Sequence, residues 1–102
     1  MACHYLTYNT AKDFFDDLQS RNIDLILKMT KCILSASKRK KDIIDVFEIE
    51  FKNKDILIFS IDKLQYPEFL NNALEDLIKI EEYELCAEIT KIINKKSKVK
   101  HG

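Results

Sequence analysis

Apolar residues recur every three to four positions over residues 11–38, every second position over 46–51, and every three to four again from residue 70. Helix, strand and helix are therefore expected in that order. Thr10 followed by Asp13 has the form of an N-cap with an acid at N3, so a helix is expected from Ala11 to about Ser20. Its apolar stripe is Phe14, Phe15 and Leu18. After a break at Arg21-Asn22, a second helix is expected over 23–38. Ile26, Met29, Ile33 and Ala36 recur there at helical spacing, and Leu25, Cys32 and Leu34 widen the face enough to bury most of the helix. It ends in the basic run KRKK (38–41), where positive charge suits the C-terminal end of the dipole.

The period then changes. In VFEIEF (46–51) Phe47, Ile49 and Phe51 alternate with Glu48 and Glu50, as in a half-buried strand. ILIFSI (56–61) is almost continuously apolar and reads as a strand covered on both faces. The short polar connection KNKD (52–55) makes a β-hairpin the economical arrangement, although no glycine follows Asn53 to form the usual tight turn. A hairpin alone is marginal in water, so it must lie on the helices, gain a third strand or pair with another molecule. HYLTY (4–8) alternates weakly and is the candidate third strand.

Pro67 suits the first turn of a helix, and Leu70, Ala73, Leu74, Leu77 and Ile78 form its apolar face. After Glu81-Glu82 the face resumes with Tyr83, Cys86, Ala87, Ile89, Thr90 and Ile93. Residues 68–95 are either one long helix or an antiparallel hairpin bent near Ile80–Glu82. The hairpin is preferred, because a lone helix of that length would project from so small a core. The expected fold is thus α+β and mostly helical: two N-terminal helices, a central β-hairpin and a C-terminal helical hairpin in one domain (1–94). A basic flexible tail, KKSKVKHG (95–102), follows.

Composition narrows the function. The chain of 102 residues is long enough for one core. Its single glycine is the last residue, so GxGxxG, P-loop and nucleophile-elbow motifs are excluded. No apolar run reaches the length of a membrane span, and the N-terminus lacks the layout of a secretory signal. Cys3, Cys32 and Cys86 are odd in number and form no CxxC, so free thiols and a cytoplasmic setting are expected. Lysine outnumbers arginine fifteen to two, and isoleucine is abundant, which reflects an AT-rich coding sequence. The zero net charge hides a separation: +4 over residues 1–41, −9 over 42–90 and +5 over 91–102. An acidic middle between basic ends can pair with itself, within one chain or between copies.

Few residues invite chemistry. Cys3-His4 is at most half of a metal site, and Cys32, Cys86 and His101 lack the spacing to complete it. Cys32 and Cys86 fall on apolar helix faces, where cysteine behaves as a small buried hydrophobe. The acid pairs Asp16-Asp17, Glu75-Asp76 and Glu81-Glu82 are helical neighbours that point in different directions and read as solvated faces. No catalytic residue, metal, cofactor or small-molecule substrate is assigned, and an enzyme is not expected. Lys38, Arg39, Lys40, Lys41, Lys95 and Lys96 are candidate phosphate contacts for nucleic acid. A pI of about 6.7 and the acidic middle make that the weaker reading.

The arrangement LEDLIKIEEYELCAEITKII (74–93) resembles the UVR-type helical hairpin of bacterial excision-repair proteins and Clp-protease adaptors. There an apolar helix runs into an acidic corner, followed by an aromatic and a small-small pair. The resemblance implies a module that binds other proteins, often a second copy of the same hairpin. Cys86 and Ala87 would let the two backbones approach, with Tyr83 at the corner. Thr90-Lys91 stands where that family usually has arginine. The lysine- and isoleucine-rich make-up and the EEYELCA stretch also resemble small tailed-bacteriophage proteins, which implies a phage-encoded accessory protein in the host cytoplasm or a component of the virus particle. A protein-interaction module, self-associating or binding a protein partner, is therefore expected. Its partner-binding residues would be Glu81, Glu82 and Tyr83 and any uncovered hairpin edge.

Overall fold

The sheet is organised around its central strand. In the computed structural model, which describes the backbone of residues 2–101 and the side chains of residues 2–94, the order is β1 (His4–Tyr8), α1 (Ala11–Gln19), α2 (Ile23–Lys38), β2 (Ile43–Phe51), β3 (Ile56–Asp62), a 3₁₀ turn (Lys63–Gln65), α3 (Tyr66–Lys79) and α4 (Tyr83–His101). The sheet runs β1-β2-β3. β2 and β3 are the expected hairpin, with Glu50 opposite Ile56 and Glu48 opposite Ile58. β1 is the third strand, but it lies parallel to β2, from His4 beside Phe47 to Tyr8 beside Phe51. The sheet is therefore mixed, because the α1–α2 pair supplies the crossover that a parallel pairing needs.

Helix starts follow the polar residues in front of them. Thr10 accepts a hydrogen bond from the Asp13 amide, and Asn22 accepts from the Asp24 and Leu25 amides. Three helices end alike, in a residue with positive φ after the C-cap: Arg21 (58°), Lys40 (55°) and Glu81 (63°). In each, that residue's N–H and the next one reach back to the last turn. Glu81 donates to the Ile78 carbonyl and Glu82 to the Leu77 carbonyl, and the same pair of bonds recurs at Arg21/Asn22 and Lys40/Lys41. This Schellman arrangement usually uses glycine at the left-handed position. A chain without internal glycine makes it with charged residues, at a cost of roughly 1 kcal/mol each. The hairpin uses the same device. Lys54 sits at φ 77° after Asn53, whose side chain accepts from the Asp55 amide, and Lys54 donates to the Phe51 carbonyl. Lysine thus fills the place of the missing glycine in a bulged three-residue turn.

The helices cover one face of the sheet. Phe47, Ile49 and Phe51 of β2 are buried there, flanked by Leu6 and Tyr8 of β1 and by Leu57, Phe59 and Ile61 of β3. Phe14 is fully buried against the rings of Tyr8, Phe47 and Phe59. All seven residues expected on the buried face of α2 are buried. Register on β2 shifts between Asp45 and Phe47, where a bulge lets Ile44, Val46 and Phe47 all be buried.

Several expectations are corrected. β3 is not covered on both faces: Leu57, Phe59 and Ile61 point to the core, while Ile56 and Ile58 point outward and are exposed. An unbroken apolar run hides this alternation. Residues 66–101 form a helical hairpin rather than one helix, as preferred, and the backbone of α4 continues to His101 across the boundary drawn at residue 95. The tail side chains, including Lys95 and Lys96, lie outside the described residues. On α4 the face that packs is Leu85, Cys86, Ile89, Ile92 and Ile93, whereas Tyr83, Ala87 and Thr90 are exposed. Cys86 alone, not a Cys86–Ala87 pair, therefore lies in the seam between the helices.

Cys3 and Cys32 are not free. They form a disulfide with their Cα atoms 6.3 Å apart, and only Cys86 remains a thiol. Cys3 donates its amide to the Asp45 carbonyl, so the parallel pairing of β1 brings it over α2 and the buried Cys32. The cysteine argument for a reducing compartment falls with this bond. Charge complementarity within the chain is partly realised. Arg21 pairs with Asp76 and donates to the Asn72 carbonyl, tying the α1–α2 corner to α3, and Lys38 meets Glu88 of α4 at 3.3 Å. Among the described residues no helix is long and apolar enough to cross a membrane.

Candidate interaction surface

With the helices on one side, the other face of the sheet is open. One row across it is Tyr5, Glu48 and Ile58, and the next is Thr7, Glu50 and Ile56. Tyr5 is 62% exposed, Ile56 60% and Ile58 44%, so apolar side chains flank a central acidic pair. β3 forms one border of this face. It contains neither proline nor lysine between Ile56 and Asp62, the residues with which edge strands are commonly blunted.

The free side of β3 can be read from its paired side. Phe51 donates to the Asp55 carbonyl across the end of the hairpin, and hydrogen-bonded and non-bonded positions alternate from there. Leu57 and Phe59 thus turn their backbone groups toward β2, and Ile56, Ile58, Ser60 and Asp62 turn theirs outward. The Asp62 amide is already taken, since it donates to Gln65 Oε1 at 2.9 Å while the Asp62 side chain accepts from Leu64. The backbone amides of Ile56, Ile58 and Ser60 are left open along the edge.

Beside that edge, on the helix side, runs a groove of about 370 Å³. Phe59 and Ile61 of β3, Met29 of α2, and Glu68, Phe69 and Asn72 of α3 line it. α3 is set off from β3 by the 3₁₀ turn, whose Asp62/Gln65 capping box fixes where the helix begins. A strand laid along β3 would find main-chain partners on the edge and an apolar slot for alternate side chains.

The residues named from the sequence fall in two other places. Glu81, Glu82 and Tyr83 form the α3–α4 corner, where Glu81 holds the left-handed cap, Glu82 is half-buried and Tyr83 is 61% exposed. Ile78 and Ile80 are exposed near them, giving the corner an apolar rim. The basic run is a helix end. Lys38 is engaged with Glu88, Arg39 Nε donates to the Ser35 carbonyl, Lys40 occupies the left-handed cap, and the Lys41 carbonyl accepts from the Tyr66 hydroxyl. Two of its cations, Lys38 and Arg39, are thus turned to structural contacts, and one residue of the acidic middle, Glu88, meets the run directly. Sequence reasoning anticipated an uncovered hairpin edge without saying which strand it was. The alternation Ile56, Ile58, Ser60 against Leu57, Phe59, Ile61 was the available signal.

A shallow hollow at the hairpin end is lined by Tyr8, Asp13, Glu50, Lys52 and Lys54. The Tyr8 hydroxyl donates to Asp17 Oδ2 at 2.8 Å. Burial first, and then that bond and the carboxylate charge, push its pKa up to about 12. The phenol is therefore held protonated as a structural donor. Among the described residues no cluster of three or more His, Cys, Asp or Glu side chains is placed to hold a metal ion. No protein-family model, curated protein or solved structure matches the chain.

Proposed function

We propose that the chain is a non-enzymatic protein-interaction module that takes its partner by strand addition along β3. The observation that carries this reading is an unblunted edge whose open amides, at Ile56, Ile58 and Ser60, run beside an apolar groove. A long apolar edge left bare is an aggregation hazard, and covering it with a partner strand removes the hazard. The test compares wild type with Ile58→Lys, a change on an exposed position that the fold tolerates. Proteins that are captured by wild type, lost with Ile58→Lys and kept with Tyr83→Ala support the reading. Capture unchanged by Ile58→Lys but abolished by Tyr83→Ala or Glu82→Lys would move the function to the α3–α4 corner.

One observation favours a second reading of the setting. A disulfide such as Cys3–Cys32 persists in oxidising surroundings, and particle surfaces are among them. An accessory role on a virus particle suits the bridge better than a reducing cytosol does. Mass spectrometry of purified particles tests this, and absence of the chain from them ends it.

A further inference from the structure

We infer that the strand added to β3 is the β3 of a second copy, running antiparallel about a two-fold axis at Ile58. This rests on the reading of β3 as the interaction edge and names its partner. Three observations lead to it, beginning with the register. In an antiparallel pair the strongest alignment places outward-facing residues opposite one another, so that each pair exchanges two backbone hydrogen bonds. The open residues are Ile56, Ile58 and Ser60, because the Asp62 amide is taken by Gln65. Only one alignment pairs all three among themselves: Ile58 with Ile58 of the second copy, and Ile56 with its Ser60. An edge whose open groups are symmetric about one residue is self-complementary, as a two-fold interface requires.

Charge follows the same axis. With Ile58 on the two-fold, Lys54 in the hairpin turn of one copy comes near Asp62 at the end of β3 of the other, at both ends of the pair. The one other formal charge between them, Asp55, comes opposite Ile61, so the alignment has two attractions and sets no like charges directly opposite one another. A slip by two residues in either direction separates both Lys54–Asp62 pairs and leaves open amides unpaired. One of the two slips brings Asp55 opposite Lys63 instead, so the amide count, not charge alone, selects the alignment.

The groove supplies the rest. On the helix side of the paired strands, Leu57 and Phe59 of the second copy stand next to Phe59 and Leu57 of the first. Both are only partly buried within one chain, and the slot beside them is floored by Met29, Ile61 and Phe69. Pairing would thus cover the part of the core left open along β3 and bring the exposed Ile58 side chains together on the open face. The two sheets would join into one, with β1 at each border.

Cysteine placement tests the axis. In a Cys86→Ser background, Ile58→Cys is the sole free thiol and should link two copies under mild oxidation, since facing residues in such a pair lie within disulfide reach. Ile56→Cys and Ser60→Cys should each fail alone and link when mixed. Sedimentation of wild type should show a concentration-dependent dimer, and Ile58→Lys should weaken it ~100-fold or more. Linking of Ile56→Cys or Ser60→Cys with itself, or a strict monomer throughout the concentration series, would overturn the second-copy assignment. Titration with a synthetic peptide spanning residues 55–63 separates that failure from failure of the edge itself. Binding that shifts the Ile56, Ile58 and Ser60 amides while the protein stays monomeric leaves β3 as an edge for another partner. No binding overturns the second-copy strand, and the Ile58→Lys capture comparison then decides the edge itself.

Discussion

Breaking the Cys3–Cys32 bond should be the largest single perturbation of this fold short of emptying its core. The bond joins residues separated by 29 positions, and it closes a loop containing β1, α1 and the first half of α2. In the chain-entropy account, opening a loop of that length restores about 3.5 kcal/mol of freedom to the unfolded state. For a domain of this size each kcal/mol moves the midpoint by about 4–8 °C, so the expected fall is about 15–25 °C. Cys3 is exposed, so Cys3→Ser removes the bond without placing a polar group in the core, and reduction of wild type provides an independent arm. Thermal melts of oxidised wild type, reduced wild type and Cys3→Ser should show one high midpoint and two similar low ones. Thiol titration of the unfolded, unreduced chain should find Cys86 alone, and all three cysteines after reduction. Because β1 has one neighbouring strand and the bridge ties down its N-terminal end, its amides should also exchange faster once the bridge is open. Equal midpoints with and without the bond, or three reactive thiols before reduction, would refute the reasoning.

Other perturbations test the same physics on a smaller scale. Lys40→Gly should raise stability by roughly 0.5–1 kcal/mol in a denaturant melt, because glycine takes a φ of 55° without the Cβ clash. A loss of stability there would mean that the lysine side chain contributes more than its backbone costs. Thr30 is fully buried and its hydroxyl has no partner among the described residues, so Thr30→Val should be neutral or stabilising by about 1 kcal/mol. Tyr8 should titrate near pH 12 by ultraviolet difference absorbance, above its ordinary 10.0, and Asp17→Asn should bring it down. Its folded pKa is raised, so the folded state binds the extra proton between those values. The stability this contributes is complete below pH 10 and is lost as pH rises through about 12. A stability that held level or rose across that window would contradict the assignment.

Where sequence alone sufficed, one pattern acted alone. The α2 face was legible because its apolar residues keep helical spacing over four turns, and Thr10 marked the start of α1 because its side chain bonds the Asp13 amide. Pairing was less visible. HYLTY shows alternation but nothing in it tells parallel from antiparallel, since that depends on the path taken by α1 and α2 between it and β2. The same path brings Cys3 to Cys32, a meeting that cysteine spacing cannot show. ILIFSI was misread as covered on both faces because Ile56 and Ile58 are as apolar as the core residues between them. Those two outward isoleucines are where the candidate surface lies, so the same feature hid the site and makes it. The corner residues Glu81, Glu82 and Tyr83 were legible as a bend, and Glu81 serves there as a helix cap.

The central claim is that the free edge of β3 accepts a strand, and amide exchange measures that residue by residue. The account predicts that Ile56, Ile58 and Ser60 exchange slowly once the partner strand is present, and progressively more slowly as the protein is concentrated, while Leu57 and Phe59 are protected throughout. Fast exchange at Ile56, Ile58 and Ser60 at every concentration, and in complex with every partner the protein binds, would contradict it.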